Sequence, residues 1–184
     1  MSINSDFEDL LCEFCAAGVR FLVVGGYAFT FHATPRYTKD IDLWIEASPR
    51  NARHVWAALS KFGAPLGALT QADFEQPGIF VTFGKEPARV DVLTSVSGVE
   101  FAEAWARRST MSYGRVAAVP VLSERDLVAS KRAAGRLKDL ADVEELERRA
   151  KLRGGESEGD GQVAERPPAR RRAQSATARR RRRS

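Results

Sequence analysis

Apolar residues recur along the chain with two periods, and each period marks a kind of element. Phe7, Leu10, Leu11 and Phe14 are spaced for one face of a helix, with Ser5 and Glu8 placed as a capping box and Gly18 near its end. Phe21-Leu22-Val23-Val24 is an apolar run of strand length, halted by Gly25-Gly26. Tyr27 to Ala33 returns to helical spacing, and Pro35 ends it. Ile41 to Glu46 reads as a second strand. Ser48 then caps a helix with Pro49 at its first position, running to about Phe62. Ile79 to Phe83 and Arg89 to Leu93 are predicted as paired strands around a turn at Gly84 to Pro87. A helix around Val99 to Arg107 and a strand around Val116 to Leu122 follow. Ser123 with Asp126 starts a helix to about Ala134, and Leu137 to Leu152 forms the last. Elements in this order predict an α/β (α+β) domain, a mixed β-sheet flanked by helices with further helices at its C-terminal end.

Composition changes that picture at one place. After Leu152 the apolar pattern stops and Gly154-Gly155, Pro167-Pro168 and arginine runs take over. The chain has 184 residues and a net charge of +5, yet residues 151–184 hold eleven basic against four acidic residues, a net +7, leaving the first 150 at −2. The reading is a folded domain over 1–153 and a disordered, arginine-rich tail over 154–184, which cannot bury enough surface to offset its ordering entropy. Such a tail reads first as a dispensable solvated extension, and it can also hold RNA, DNA or an acidic surface by neutralising phosphates. Two cysteines imply no disulfide framework. The polar N-terminus lacks a signal-peptide pattern, and no apolar run reaches the ~20 residues of a spanning helix. A cytoplasmic protein without membrane contact is expected.

Candidate chemistry centres on Asp40 and Asp42. Alternate residues of a strand share a face, so the two carboxylates point one way and Ile41, Leu43 and Ile45 the other. Like charges side by side repel, and a divalent cation with oxygen ligands, magnesium above all, is their natural partner. Read alone, the pair also fits a strand end whose acids face water. Two features add to it. Gly25-Gly26 joins a strand to a helix, where glycines let backbone approach a ligand and a helix N-terminus offers free amides to phosphate. Asp91 alternates with apolar residues in a later strand. If that strand lies beside the first acidic one, three carboxylates converge, two to hold metal and the third to bridge it or take a proton from an attacking hydroxyl.

Gly25-Gly26, thirteen residues, Asp40-Ile41-Asp42-Leu43 and a distal Asp91 together resemble the polymerase-β-type nucleotidyltransferase superfamily. The closer form, Gly-Gly-Tyr-Ala with Asp-Ile-Asp-Leu, and the segment Val121 to Asp142 resemble its bacterial members of the AbiEii type, linked to abortive infection and toxin–antitoxin systems. The likeness covers about 21–146. It implies a metal-dependent nucleotidyltransferase that moves a nucleoside monophosphate from a nucleoside triphosphate (NTP) to a hydroxyl of tRNA or protein, and a cognate antitoxin or toxin as partner. It implies two magnesium ions, with manganese as a substitute, on Asp40, Asp42 and Asp91. Gly25 and Gly26 would cradle phosphate, Lys131 would be the phosphate-binding lysine on one face with Lys138 if the helix passes through Gly135, and Arg36 and Thr38 would touch nucleotide. Many relatives have serine as the second turn residue; Gly26 can offer only its amide. The same motifs occur in aminoglycoside nucleotidyltransferases, and a non-catalytic nucleotide- or RNA-binding regulatory module would keep the fold without turnover. The three carboxylates argue for catalysis, because a binding module has no use for their repulsion.

Other residues read as architecture. Cys12 and Cys15 lie in the first helix without a second pair, and His32 and His54 make no zinc spacing with them. Trp44, Trp56, Trp105 and the phenylalanines are expected in the core rather than in a base-stacking wall.

Overall fold

The computed structural model describes residues 3–158, with side chains through Arg153; the tail's arginine runs lie outside the described residues. Six strands form one sheet: β1 (Phe21–Val23), β2 (Asp40–Ile45), β3 (Phe80–Phe83), β4 (Arg89–Leu93), β5 (Ser109–Tyr113) and β6 (Val116–Val121), in the order β3-β4-β2-β1-β6-β5. β2 runs parallel to β4 and β1 parallel to β6, while β1/β2, β3/β4 and β5/β6 are antiparallel. The sheet is therefore mixed, and the helices α1 (Ser5–Ala16), α2 (Gly25–His32), α3 (Pro49–Phe62), α4 (Phe101–Arg107), α5 (Glu124–Ala134) and α6 (Leu137–Glu158) flank it.

The core follows from the periodicities. Phe7, Leu10, Leu11 and Phe14 of α1 are fully buried, as are Ile41, Leu43 and Ile45 of β2, while Asp40 and Asp42 between them remain partly exposed. Ring edges lock the layers: Phe14 meets Phe21 and Phe7 meets Tyr27, both T-shaped. Ser48 caps α3 through the Asn51 amide, Pro49 sits in its first turn, and Gly63 ends it in the left-handed conformation. His32 donates from Nε2 to the Leu122 carbonyl at 2.7 Å, tying α2 to the end of β6. Trp44 is buried against Phe101, and Trp105 stacks on that ring at the periphery.

Four local expectations differ from what the chain does. The cap of α1 is Asn4, whose Oδ1 accepts from the Asp6 and Phe7 amides, because Asn is a strong cap one residue earlier than Ser5. Glu8 instead accepts from the Arg115 amide at the β5–β6 hairpin. β5 was not expected: it is an edge strand of mostly small polar residues, in which only Met111 and Tyr113 mark the inward face. The α5 helix ends at Ala134 as expected, with Gly135 (φ +67°) as its cap, so the condition that would set Lys131 and Lys138 on one helical face is not met and they stand on separate helices. Finally, α6 runs past Leu152 to Glu158, since a glycine inside a formed helix costs only about 1 kcal/mol. Among the described residues no helix is long and apolar enough to cross a membrane.

Candidate active site

β2 and β4 are in parallel register with Asp40 beside Arg89 and Asp42 beside Asp91. Alternation then puts Asp40, Asp42, Arg89 and Asp91 on one face of the sheet as a two-by-two patch. The antiparallel pairing of β3 adds Thr82 beside Asp91 and Phe80 beside Leu93 on that face. The patch floors a cleft of about 660 Å³, whose walls include Gly25, Gly26, Lys131, Arg136 and Lys138. The convergence that the sequence made conditional on strand order is thus present.

Each acid has its own surroundings. Asp91 is 3% exposed; Thr82 donates to its Oδ1 at 2.8 Å, and Arg89 Nη2 to its Oδ2 at 3.2 Å. The same Nη2 donates to Asp40 Oδ2 in a very short contact. Asp40 also accepts from the Thr38 hydroxyl, at its backbone oxygen (3.2 Å) and at Oδ1 (3.4 Å). Asp42 receives the Gly26 amide. Burial, then the charges of Asp40 and Asp91, push its carboxyl up to about 6; the Gly26 amide and Arg89 oppose this without cancelling it.

The glycine pair has a purpose inside the chain. Gly25 sits at φ +59°, and a Cβ there would lie 1.9 Å from Asp42 Oδ2; one on Gly26 would lie 2.7 Å from Thr38 Oγ1. Only glycine lets the N-terminus of α2 close onto Asp42 and Thr38 at the edge of the cleft. Both glycines, Asp40, Asp42, Asp91, Arg36, Thr38 and Lys131 line the one cleft.

Two of those residues are already engaged by other partners. Lys131 is 7% exposed, with Nζ 3.1 Å from Asp139 Oδ1 and 2.7 Å from Asp142 Oδ2. Arg36 forks onto Asp142 through both Nη atoms and lies 4.1 Å over the Phe29 ring. Burial would raise the Asp139 and Asp142 carboxyls, but hydrogen bonds from Arg136 and Lys131 to the first, and from Arg36 and Lys131 to the second, hold both below the ordinary range. The exposed cations of the cleft are instead Lys39, paired with Glu86 at 2.6 Å, Arg136, 78% exposed and held to Asp139 by Nε, and Lys138 on α6.

Sequence reasoning missed Arg89 and Phe80. Arg89 shares a strand face with Asp91 by the same alternation that paired Asp40 with Asp42, so its signal was available. Phe80, expected in the core, is 59% exposed and forms a cleft wall with Leu93, while Tyr37 lies 77% exposed along the same cleft. β3 is an edge strand, which leaves its site-side ring uncovered. The cysteines stand apart from the cleft; Arg115 Nε donates to Cys12 Sγ, and neither thiol is in a disulfide.

Carboxylate oxygens are the donor type a hard divalent cation takes, and the Asp42 carboxyl, raised first by burial and then by the charges of Asp40 and Asp91, gains from a cation beside it. The donor chemistry therefore fits magnesium. Among the described residues, however, no three Asp, Glu, His or Cys side chains form a ready-made ligand cluster, and Arg89 spans the outer two acids.

Residues 6–152 match the model of a family described as "Nucleotidyltransferase of unknown function (DUF6036)". No curated protein matches the chain.

Proposed function

The chain belongs to that nucleotidyltransferase family, and from this premise we propose that it transfers a nucleoside monophosphate from an NTP to a hydroxyl acceptor with a divalent metal as cofactor. The observation that carries the reading is the register of β2 and β4, which sets Asp42 beside Asp91 and Asp40 on one face below a helix N-terminus. Asp40, Asp42 and Asp91 would hold magnesium, two ions or manganese in their place. Bound there, the metal supplies charge neutralisation for the triphosphate and the attacking oxygen.

The chain's own groups do the rest by positioning and charge. The amides at the start of α2 face the phosphates, with Arg136 and Lys138 as cations above them. Lys131 and Arg36 act through the buried acids they hold, which fix α6 and the segment before β2 as walls of the cleft. The Phe80 and Leu93 wall offers a flat apolar surface to a nucleobase. Thr82 fixes Oδ1 of Asp91, and Oδ2, which Arg89 Nη2 meets at 3.2 Å, would accept the acceptor's proton. In the reaction the acceptor oxygen bonds to the α-phosphorus, the bond from that phosphorus to the β-bridging oxygen breaks, pyrophosphate departs, and the hydroxyl proton passes to Asp91.

For the acceptor we propose RNA, tRNA in the first place, or a protein hydroxyl, in the abortive-infection or toxin–antitoxin setting that the AbiEii-type likeness implies. The net +7 of residues 151–184 favours an RNA over a cationic aminoglycoside, which it would repel. The test is a labelling screen: wild type and Asp42→Ala with magnesium, each α-labelled NTP, and total tRNA, lysate protein or aminoglycosides. Label on RNA or protein, absent with the variant, is expected. Label on the drug moves the chain to small-molecule modification. Label nowhere despite nucleotide binding leaves a regulatory module.

A further inference from the structure

We propose that Arg89 is a latch on the metal site: a resident counter-cation that a divalent metal must displace, and that the incoming nucleotide takes over. The proposal rests on the reading of Asp40, Asp42 and Asp91 as metal ligands and adds to it how that site is loaded. A single guanidinium nitrogen, Nη2, donates to both Asp40 Oδ2 and Asp91 Oδ2. One positive centre shared by two carboxylates on neighbouring strands stands where a bridging cation would stand. A guanidinium and a metal ion cannot share that place, by volume and by charge.

The latch is built to open. Arg89 is 39% exposed, so its head has a path to solvent along the cleft. Its Nε is buried without a hydrogen-bond partner, so the two acids are what hold it, and a buried unmatched donor favours any arrangement that frees it. Contrast Arg36, where both Nη atoms are matched to one buried carboxylate and the fork lies on an aromatic ring. Arg89 also has a destination. It lines the same cleft as the α2 amides, Arg136 and Lys138, and a guanidinium set free beside a triphosphate finds a bidentate anion in place of two carboxylates.

The consequence is coupling. Metal alone must break the Arg89 contacts without compensation, so its apparent affinity falls by the fraction of molecules in which the latch is open. Nucleotide pays that penalty by capturing the arginine, and by linkage each ligand strengthens the other. The latch offsets part of the carboxylates' charge, and keeps the site unloaded, until substrate arrives.

The experiment is manganese binding to the full-length, metal-stripped chain, read from the electron paramagnetic resonance signal of free Mn2+, with and without a non-hydrolysable NTP analogue. Wild type, Arg89→Ala and Asp42→Ala are compared, with Arg89→Met, which keeps the apolar stem, standing in if the alanine variant fails to fold. Without nucleotide, Arg89→Ala is expected to bind Mn2+ at least about tenfold more tightly than wild type. With nucleotide the two converge, so the tightening that nucleotide brings is about tenfold smaller in the variant. An equal gain in both conditions means that Arg89 acts only through its field, and the latch is overturned. Equal affinities in wild type and Arg89→Ala, lost in Asp42→Ala, overturn the latch but leave the metal site standing. No Mn2+ binding by any variant in either condition overturns the site and the latch together.

Discussion

Two clusters of charge face each other across the cleft, built from the same residue types in different proportions. Around Asp139 and Asp142, two buried acids meet three cations, Lys131, Arg36 and Arg136, and both carboxyls are held below their ordinary range. Around Asp42, three acids meet one cation, Arg89, and burial with the neighbouring charges pushes a carboxyl up to about 6. The first cluster is architecture: it pins α5 to α6 and, through Arg36 and Phe29, to the segment ahead of β2. The second is left short of positive charge, and the fold tolerates it because hydrogen bonds from Thr82, Thr38 and the Gly26 amide partly offset the repulsion. Buried acids fully matched by cations hold a structure together, and acids left short of positive charge in a cleft wait for a ligand.

The sharpest test removes one acid from each cluster. Asp42→Ala relieves like-charge repulsion, so the fold is expected to stay at least as stable in metal-free buffer while transfer falls by about a thousandfold. Asp142→Ala leaves Lys131 and Arg36 without their shared carboxylate, and a loss of about 3–5 kcal/mol is expected in urea unfolding. If Asp42→Ala proved the more damaging to stability, the contrast between the clusters would be wrong.

A pH series sharpens the same point with a smaller effect. Asp139 and Asp142 take up protons at lower pH when folded than when unfolded. Between those values the unfolded chain binds more protons, so the stability they contribute is present above the ordinary carboxyl pKa and drains away as pH falls through the depressed ones. Asp142→Asn is expected to be less stable at neutral pH and to show a shallower loss below about pH 4. A slope identical to wild type would show that the pairing adds nothing in acid.

The mildest change is at the wall of the cleft. Phe80→Ala, at an exposed edge-strand position, is expected to leave the unfolding midpoint nearly unchanged and to raise the KM for NTP about tenfold, with kcat nearly constant. A drop in stability instead, with KM unchanged, would return Phe80 to the role of a packing residue.

Much of the site was legible before any coordinates because strand alternation is a local property. Asp-Ile-Asp in an apolar strand already places two acids on one face, and the burial of Ile41, Leu43 and Ile45 follows the same rule. Ser48 and Pro49 likewise set the start of α3 within a few bonds of themselves. Arg89 was as legible as Asp91, two residues away on the same strand, but its meaning was not, since a lone basic residue gains a role only from the acids beside it. Lys131 illustrates the opposite limit. Its burial depends on α6 folding back from Gly135 to bring Asp139 and Asp142 to its amine, and no spacing along α5 carries that information.

By itself, then, the sequence determined the mixed α/β architecture, the face that Asp40 and Asp42 share, and the glycine turn ahead of them. Each of these rests on backbone periodicity and on steric rules that act over a few residues. The tertiary structure alone decided that Asp91 and Arg89 stand beside those acids, that the glycines admit Asp42 and Thr38, and that Lys131 is bound up in ion pairs. Those outcomes depend on which strands pair and in what register, and charges interact through space with whatever the fold brings within reach.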